Sequence, residues 1–504
     1  MAESLGHKEI AAEYDARALR YRNLFDPSTG FFRGKDSDGN WRVPFTPDGT
    51  SRESSRDYTE ATAWQYRHFM IHDVAGYAAL MGSAEAAKAS LDSLFSSGYD
   101  NLEDHAEWFV TGRIGKYAHG NEPSHATAWL YTALGDPSSS QRYVREIIDN
   151  LYSTGPDGLC GNEDCGQMSA WYILASLGIY PACPGTGEYL LTAPLFKKAE
   201  IRLGNGKQLT IKADHPEYPY VSEVSLNGEP VSQHFLTYEQ IMAGGVLEFK
   251  LSPKPDHGRD GLPAPYSMSP RPFVSKPAIT GNLHLFDSDA EVSMSCRTEG
   301  SVIHYTLDGS DPTEDSPVYS GPFKVRQSCL IKARAFKEGM DPSQVNYVAA
   351  HKKYYYPVTS MDGMTPGCRY TFHTANFKFI NQIEADPEED SGVMEAPSIS
   401  GSPAEDHFAF NFFGYINVPS DGVWEFALRC DEGGELWIEG ERVVSAEGSP
   451  KPAIGTGKIP LQKGLHPFKL LYFDDQGGQE LVWSWRNGGS ARFVPIPPSR
   501  LYYR

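Results

Sequence analysis

The sequence has no apolar run of the about 18 to 20 residues that a membrane-spanning helix needs. Its first residues show no basic stretch followed by an apolar one, so we predict no signal peptide. Seven cysteines in 504 residues are too few for disulfides to hold the fold together. Positive charge is also scarce, because 45 Lys and Arg against 65 Asp and Glu give a net charge of −20. That balance argues against nucleic acid as a partner.

What is present is an ordinary globular composition, with 40% apolar and 22% charged residues. A chain of this length predicts two to four domains at about 100–200 residues each. The aromatic fraction of 12% favours surfaces that bind sugars or peptides.

The hydrophobic period changes along the chain. Up to about residue 190 it predicts helices, in six stretches: 6–22, 58–79, 83–96, 124–134, 139–152 and 166–177. From there on, alternating segments such as 209–213 and 246–251 predict strands. We therefore expect an α-then-β multidomain chain: a mainly helical domain over 1–260, a Pro- and Gly-rich linker over 261–272, and all-β modules over 273–350 and 354–504.

Three polar clusters interrupt the helical part, at residues 58–66, 119–125 and 161–171. Each lies just before or at the start of a predicted helix, where the helix dipole favours carboxylates. Helix starts at one end of a helical array can converge on one cavity. We expect that convergence to bring together the acidic residues Glu60, Glu122, Glu163 and Asp164, next to Trp64 and Trp171. Such a pocket suits a divalent cation or acid/base hydrolysis of a sugar.

Each cluster alone also has a purely structural explanation. A Glu at a helix start is more often a cap, a histidine such as His119 or His125 is more often a hydrogen-bonded structural group, and a Trp is more often core. Cys160 and Cys165 are spaced loosely like a metal clip, but no matching second pair supports zinc. Small buried thiols, or a local disulfide in an exported protein, remain the alternatives.

The clusters YTEATAWQY and HGNEPSH, followed by PDGLCGNEDCGQMSAWYILASLGIYPACPG, resemble the motifs of glycoside hydrolase family 92. The similarity extends from about residue 21 to 254. It implies a calcium-dependent, inverting exo-α-mannosidase that acts on terminal α-linked mannose, with α-1,2 linkages expected. Mannose-containing glycans would be the partners, and an extracellular, surface or periplasmic location is typical of the family.

The resemblance also implies roles for individual residues. Glu60 is similar to the general acid and Asp164 to the general base. Asn121, Glu122 and Asp164 would hold Ca²⁺. The residues expected to contact the sugar are His119, Glu122, Asn162 and Trp64.

The sequence departs from the family pattern in three ways. Many relatives have Asp where this chain has Asn162, and a second His where Ala126 follows His125. The family fold is a β-sandwich followed by an (α/α)₆ toroid of twelve helices, whereas we predict about six. We therefore expect a partial toroid, which could pair with an N-terminal domain that this sequence does not contain.

The two C-terminal modules have resemblances of their own. Residues 273–350 are similar to the C-terminal β-sandwich of chitobiases and hexosaminidases, which is usually an accessory module. Residues 354–504, with WEFALRCDEGGELWIEGERVV, resemble the protective-antigen-type β-sandwich. Some of those modules bind sugar through calcium, which makes Asp431 and Glu432 candidates, with the 474–475 acidic pair; a solvated acidic turn is the alternative.

Three functions thus stay open. The first is the calcium-dependent mannosidase. The second is a catalytically silent chain with an incomplete active site. The third is a carbohydrate-binding protein that acts through residues 354–504.

Overall fold

The structure is a computed structural model that describes residues 1–35, 39, 41–42, 45–49, 57–98, 110–269, 271–447, 453–487, 490 and 492–504. It contains two compact units. The first comprises Met1–Leu283 with Ala290–Ala350, and the second comprises His284–Asp289 with His351–Arg504. The predicted order of a helical region followed by β modules is confirmed. The predicted domain boundaries stay a prediction.

The helices lie in the first unit, and their bounds are Lys8–Ala18 (α1), Ala63–Tyr66 (α2), Val74–Met81 (α3), Ala84–Ser96 (α4), Leu130–Ala133 (α5), Pro137–Leu151 (α6), Gln167–Ser176 (α7) and Tyr238–Ala243 (α8). Three predicted helices correspond closely to α4, α6 and α7. The predicted helix 124–134 consists mostly of 3₁₀ turns that lead into the short α5. Across the described residues, every helix is too short or too polar to cross a membrane.

The predicted helix 58–79 is divided into α2 and α3, because two capping side chains start separate helices. Thr62 and Gln65 form a capping box at the start of α2. Asp73 leaves the helical conformation and accepts a hydrogen bond from the Gly76 backbone N–H, which starts α3. Apolar spacing alone does not reveal this break, since both halves carry buried side chains.

The helical core is aromatic. Helix α3 packs on α4 and α5 packs on α6, as antiparallel neighbours joined by short connections do. The largest side chains between the helices, Tyr77, Trp129, Tyr131 and Trp171, are almost completely buried. This core fixes the ends of the helices on which the polar clusters lie.

The β part of the first unit forms small sheets. A five-stranded sheet has the order Glu229–Pro230, Tyr220–Leu226, Gly245–Ser252, Gln208–Ala213 and Lys198–Arg202. A three-stranded sheet has the order Phe235–Thr237, Glu188–Leu191 and Ile179–Tyr180. The accessory module contains Ala278–Thr280, Ala290–Ser295 and Phe323–Val325 in one sheet, and Val302–Thr306, Cys329–Phe336 and Asn346–Lys352 in another. The strands predicted in this region are confirmed.

The predicted linker is attached to the helical region by a buried carboxylate. Asp73 accepts hydrogen bonds from Ser267 Oγ at 2.9 Å and from Ser269 N and Oγ at 2.9 and 2.6 Å. From the N-terminal side, it accepts bonds from Tyr21 Oη at 2.8 Å and Arg22 Nη2 at 2.9 Å. We call these five residues the Asp73 clamp. They join three distant parts of the sequence at one point.

The second unit is a β-sandwich. One sheet contains Thr365–Pro366, Leu501–Tyr503, Phe408–Val418, Gly464–Asp474, Gly433–Ile438 and Glu441–Glu447 in order, with Cys368–Thr374 and Asp390–Met394 alongside. The other contains Ala453–Leu461, Gly422–Cys430, Leu481–Asn487 and Val494–Pro495. Phe412, Phe426, Trp424 and Trp485 are among the buried residues between the sheets. Inward apolar and outward polar positions alternate as expected of packed sheets.

Candidate functional site

The first motif presents Glu60 at an exposed turn directly before α2. Its backbone has φ +54°, a left-handed conformation that is unfavourable for a residue with a Cβ. Neighbouring bonds fix the turn, because Tyr66 Oη donates to Thr59 O at 3.0 Å and Thr62 N donates to Gln65 Oε1 at 2.8 Å. The turn thus holds one carboxylate outward in a strained backbone conformation.

The second motif contacts the first through Asn121. Its Nδ2 donates to the Glu60 carbonyl oxygen at 2.8 Å, and its Oδ1 accepts from Glu122 N at 3.2 Å. Asn121 is 9% exposed, while Glu122 is half-buried at the start of a short 3₁₀ turn. Gln65 Nε2 adds a second link, to the Lys116 carbonyl oxygen.

The two histidines of the second motif form a buried network. His119 is 0% exposed; its Nδ1 lies 2.7 Å from Tyr117 Oη and its Nε2 lies 2.7 Å from Tyr152 Oη. Because Tyr152 Oη donates its proton to Met168 O at 3.0 Å, it accepts from His119, which places that ring's proton on Nε2. The role of His119 in sugar binding stays a prediction, since its ring has no exposed surface here.

His125 also carries its ring proton on Nε2, because that nitrogen faces a group that can only accept a hydrogen bond. Its Nε2 lies 3.0 Å from the His119 carbonyl oxygen, which can only accept, and its Nδ1 lies 3.1 Å from Gln167 Nε2. Burial lowers the pKa of His125 to about 4, although the nearby charge of Asp164 acts in the opposite direction. Burial, with the neighbouring His125, also holds the pKa of His119 well below its usual value. Both rings are therefore neutral near pH 7.

The third motif forms the turn before α7. Asp164 is exposed and has φ +47°, so both predicted catalytic carboxylates belong to the seven described non-glycine residues with positive φ. Gln167 N donates to the Asp164 carbonyl oxygen at 3.2 Å, and Gln167 also contacts His125. Glu163 accepts from Ser169 N at 3.2 Å and from Ser169 Oγ at 3.0 Å. Glu163 therefore caps the start of α7, which is the structural role expected of a Glu at a helix start.

Two glycines allow the second and third motifs to touch. A Cβ on Gly161 would lie 2.3 Å from the Gly120 carbonyl oxygen, and a Cβ on Gly120 would lie 2.9 Å from the Cys160 carbonyl oxygen, directly before the third motif. Neither position accepts a side chain without displacement of the backbone. The close approach places the Asp164 turn beside the Asn121 segment.

Trp64 lies in a cluster of aromatic and charged side chains. Its Nε1 donates to Asp48 Oδ1 at 2.9 Å, and the same oxygen accepts from Lys116 Nζ at 2.5 Å. The Lys116 ammonium lies 4.5 Å from the centre of the Trp64 ring, within cation–π range. The indole is half-buried, so part of it remains accessible.

The structure thus joins the three motifs through the second one. Glu60 and Asn121 share a hydrogen bond, and Asp164 is linked to His125 through Gln167. Asn162 is exposed on the same turn as Asp164. The sequence did not single out Gln167 or Tyr152 as connecting residues; each is polar and adjoins a motif, but only tertiary contacts reveal its partner.

The second unit contains an acidic cluster. Asp431, Glu432 and Asp474 place their ligand atoms within 4.8 Å of one another, and this is the one such group of His, Cys, Asp or Glu that the described residues contain. Asp431 accepts from Tyr472 Oη and from Glu480 N, each at 2.9 Å. Asp474 is 0% exposed, and among the described residues neither of its carboxylate oxygens, nor Glu432 Oε2, has a hydrogen-bond partner. Three of the four acidic candidates from the sequence, Asp431, Glu432 and Asp474, therefore lie together.

Burial and mutual repulsion raise pKa values in this cluster. Burial and then the charge of Asp431 raise the pKa of Asp474 to about 7, and the same causes raise the pKa of Glu432. Asp475 belongs to a different environment. It pairs with Lys378 Nζ at 2.5 Å and with His407 Nδ1 at 3.2 Å. A buried carboxylate such as Asp474, with both oxygens unsatisfied beside two further carboxylates, is the arrangement expected for a hard cation.

The thiols do not form a site. All seven cysteines are free, including Cys160 and Cys165, so the local disulfide considered for this turn is absent from the structure. Burial raises the pKa of Cys160 to about 11, which keeps it a protonated thiol at neutral pH.

The described residues thus combine a helical region that has acidic turns at its helix starts with β modules that follow it in sequence. Residues 1–253 match the glycosyl hydrolase family 92 catalytic domain, and the chain belongs to that family. Residues 285–347 match the chitobiase/beta-hexosaminidase C-terminal domain, and residues 365–497 match the PA14 domain.

Individual relatives match the chain over part of their length. An uncharacterized secreted glycosidase of Arthroderma benhamiae is 25% identical over 263 residues, which are 47% of this chain and 32% of that protein. A beta-hexosaminidase of Porphyromonas gingivalis is 23% identical over 246 residues, 46% of this chain and 31% of that protein. Among solved structures, a family GH92 alpha-mannosidase of Bacteroides thetaiotaomicron is 38% identical with a TM-score of 0.49, over 53% of this chain and 36% of that one. The chain spans about a third of the length of the curated relatives it matches.

Proposed function

We propose that the first unit carries the acid/base site of an inverting, calcium-dependent exo-α-mannosidase that releases terminal mannose, with α-1,2 linkages preferred, from glycans. The observation that carries this proposal is that Glu60 and Asp164 are both exposed, both have a left-handed backbone conformation, and lie in motifs that are each hydrogen-bonded to the second motif. Strained conformations of this kind persist where the surrounding structure enforces them, and they concentrate at active sites.

In this proposal Glu60 protonates the glycosidic oxygen as the bond to the anomeric carbon breaks. Asp164 accepts a proton from the water that attacks the same carbon from the opposite face. The water oxygen becomes the new anomeric hydroxyl, and the configuration is inverted in one step. Trp64 offers the exposed part of an indole and Asn162 an exposed amide to the sugar.

The donor set fits calcium in chemical type. Glu122 and Asp164 supply carboxylate oxygens that are not fully buried. Asn121 Oδ1 accepts one hydrogen bond and keeps a second lone pair. Calcium bound there would orient sugar hydroxyls and stabilise developing charge through hard oxygen contacts. The name of the secreted fungal relative supports an extracellular location for this chain as well.

The test of this proposal is a leaving-group comparison. We expect Glu60→Gln to lose turnover of α-1,2-mannobiose by at least about a thousandfold, since unassisted departure of a sugar alkoxide is slow. A 4-nitrophenyl α-mannoside needs little protonation and should lose much less. Glu13→Gln, an exposed change on α1, is the matched control. Equal losses on both substrates, or no calcium-dependent mannose release by the unaltered chain, would contradict the proposal.

A second function, sugar binding by the second unit, is favoured by one observation. The Asp474 carboxylate is fully buried with two unsatisfied oxygens beside Asp431 and Glu432. We propose that Ca²⁺ binds there and leaves coordination positions for sugar hydroxyls. Calorimetry of the full chain with mannose and with galactose, with and without Ca²⁺, tests it. We expect Asp474→Asn to remove calcium-dependent heat and Asp475→Asn to keep it; the absence of heat from the unaltered chain would rule this function out.

A further inference from the structure

Asn121 contacts the backbone of the first motif as well as its own. Its Oδ1 accepts from the Glu122 N–H, which caps the following 3₁₀ turn. Its Nδ2 donates at 2.8 Å to the carbonyl oxygen of Glu60, 61 residues away. We propose that Asn121 is a positioning residue that holds the Glu60 turn in its strained conformation. This inference rests on the proposed role of Glu60 as the general acid.

The Glu60 turn is held at three points within residues 59–62. Tyr66 binds the Thr59 carbonyl oxygen, Asn121 binds the Glu60 carbonyl oxygen, and Gln65 binds the Thr62 N–H. The first and third bonds come from α2 and its flank, within seven residues of the turn. Asn121 alone among these three comes from another motif, so its amide sets the position of Glu60 relative to the second motif.

The chemistry of the contact requires an amide. A carbonyl oxygen must receive a proton, and the Asn121 NH₂ group supplies it. An Asp at this position would keep the cap on Glu122 N, because Asp and Asn are equally good N-caps. It would also offer calcium a stronger ligand than an amide oxygen. It could not donate to the Glu60 carbonyl oxygen, and its charge would repel that atom.

Asn121→Asp therefore separates the positioning role from the ligand role. If Asn121 acts only as a ligand or a cap, the variant keeps its turnover and binds calcium at least as well. If Asn121 positions Glu60, kcat falls by about 100-fold through misplacement of the acid, while calcium affinity is kept. Amide hydrogen exchange of residues 59–62 should then accelerate by at least about tenfold.

The matched control is Asn227→Asp. Asn227 also has φ +54°, and its Oδ1 accepts from Val246 N at 2.8 Å in a hairpin far along the chain. An Asp there keeps the bond, so turnover and exchange at residues 59–62 should not change. Calcium titration by calorimetry is performed in an Asp474→Asn background, which removes the proposed site of the second unit.

The outcomes are distinct. Unchanged exchange at residues 59–62 in Asn121→Asp overturns the inference, as does a loss of kcat that extra calcium fully restores. Faster exchange with lowered kcat and retained calcium affinity supports it. If the unaltered chain releases no mannose, the proposed mannosidase function fails separately, and the exchange measurement alone decides whether Asn121 holds the turn.

Discussion

The Asp73 clamp allows a sharp test of how the first unit is held together. Replacing Asp73 with Ala removes the N-cap of α3, which contributes about 1 kcal/mol. It also leaves the Arg22 guanidinium, whose side chain is 15% exposed, without its carboxylate partner. Breaking such a buried pair costs about 3–5 kcal/mol. We therefore expect a loss of about 4–6 kcal/mol in the free energy of local unfolding.

Asp136→Ala is the matched control. Asp136 caps α6 and binds the Ser139 N–H and hydroxyl group, without a cation or a distant segment. Its loss should cost only about 1 kcal/mol. Hydrogen exchange over Val74–Met81 and over Pro137–Leu151 measures the two local free energies separately. Tryptic cleavage after Arg259 should also accelerate in Asp73→Ala, because the Ser267 and Ser269 bonds are lost.

The same carboxylate should show a defined acid response. Burial alone would raise its pKa, but hydrogen bonds from Ser269, Arg22, Tyr21 and Ser267 lower the pKa of Asp73 to about 2. The folded pKa lies below the value of the free side chain, so the stabilisation is complete above about pH 4 and is lost as pH falls towards 2.

The comparison of the two variants has a clear negative outcome. Losses of local unfolding free energy in Asp73→Ala and Asp136→Ala within about 1 kcal/mol of each other at pH 7 would refute the stabilising role of the Asp73 clamp.

Three further predictions concern the motifs and the acidic cluster. Burial lowers the pKa of His125 to about 4, so the unfolded state binds more protons than the folded state below pH 6.5. The melting temperature of the first unit should therefore fall as pH is lowered from 6.5 towards 4. A melting temperature that does not change over this range would contradict the prediction. The pKa of Asp474 is raised to about 7, so the cation-free second unit should lose stability as pH rises through 7. EGTA should therefore lower the melting temperature of this unit more at pH 8 than at pH 5. Asp474→Asn should abolish that difference. Gly161→Ala should destabilise the first unit by about 1–3 kcal/mol, by overpacking against the Gly120 backbone, whereas Gly185→Ala, with open space around it, should be neutral by thermal unfolding.

Sequence pattern predicted the classes of structure well because they rest on local chemistry. The alternation of residues 209–213 and 246–251 identified strands, and the amphipathic spacing of residues 139–152 identified α6 within two residues at each end. The break inside 58–79 was missed because α2 ends at Tyr66, and Asp73 starts α3 through tertiary as well as local bonds. An Asp within an apolar stretch is compatible with one continuous helix and equally with the start of a new helix.

The candidate site was predictable in its chemistry and not in its geometry. Motif resemblance predicts catalytic roles for Glu60 and Asp164, but no sequence pattern specifies the positive φ that both residues have. The Asn121 contact with the Glu60 carbonyl oxygen spans 61 residues and depends on backbone positions that only the fold provides. Asp474 joined Asp431 and Glu432 for the same reason, because adjacent strands place distant residues side by side.

The two imidazoles of the second motif, His119 and His125, carry no formal charge, and each holds its single proton on Nε2. Ionic strength screens interactions between charges but has little effect on short bonds between neutral groups that water does not reach. High salt should therefore weaken cation binding at the exposed carboxylates while the framework beneath them stays intact.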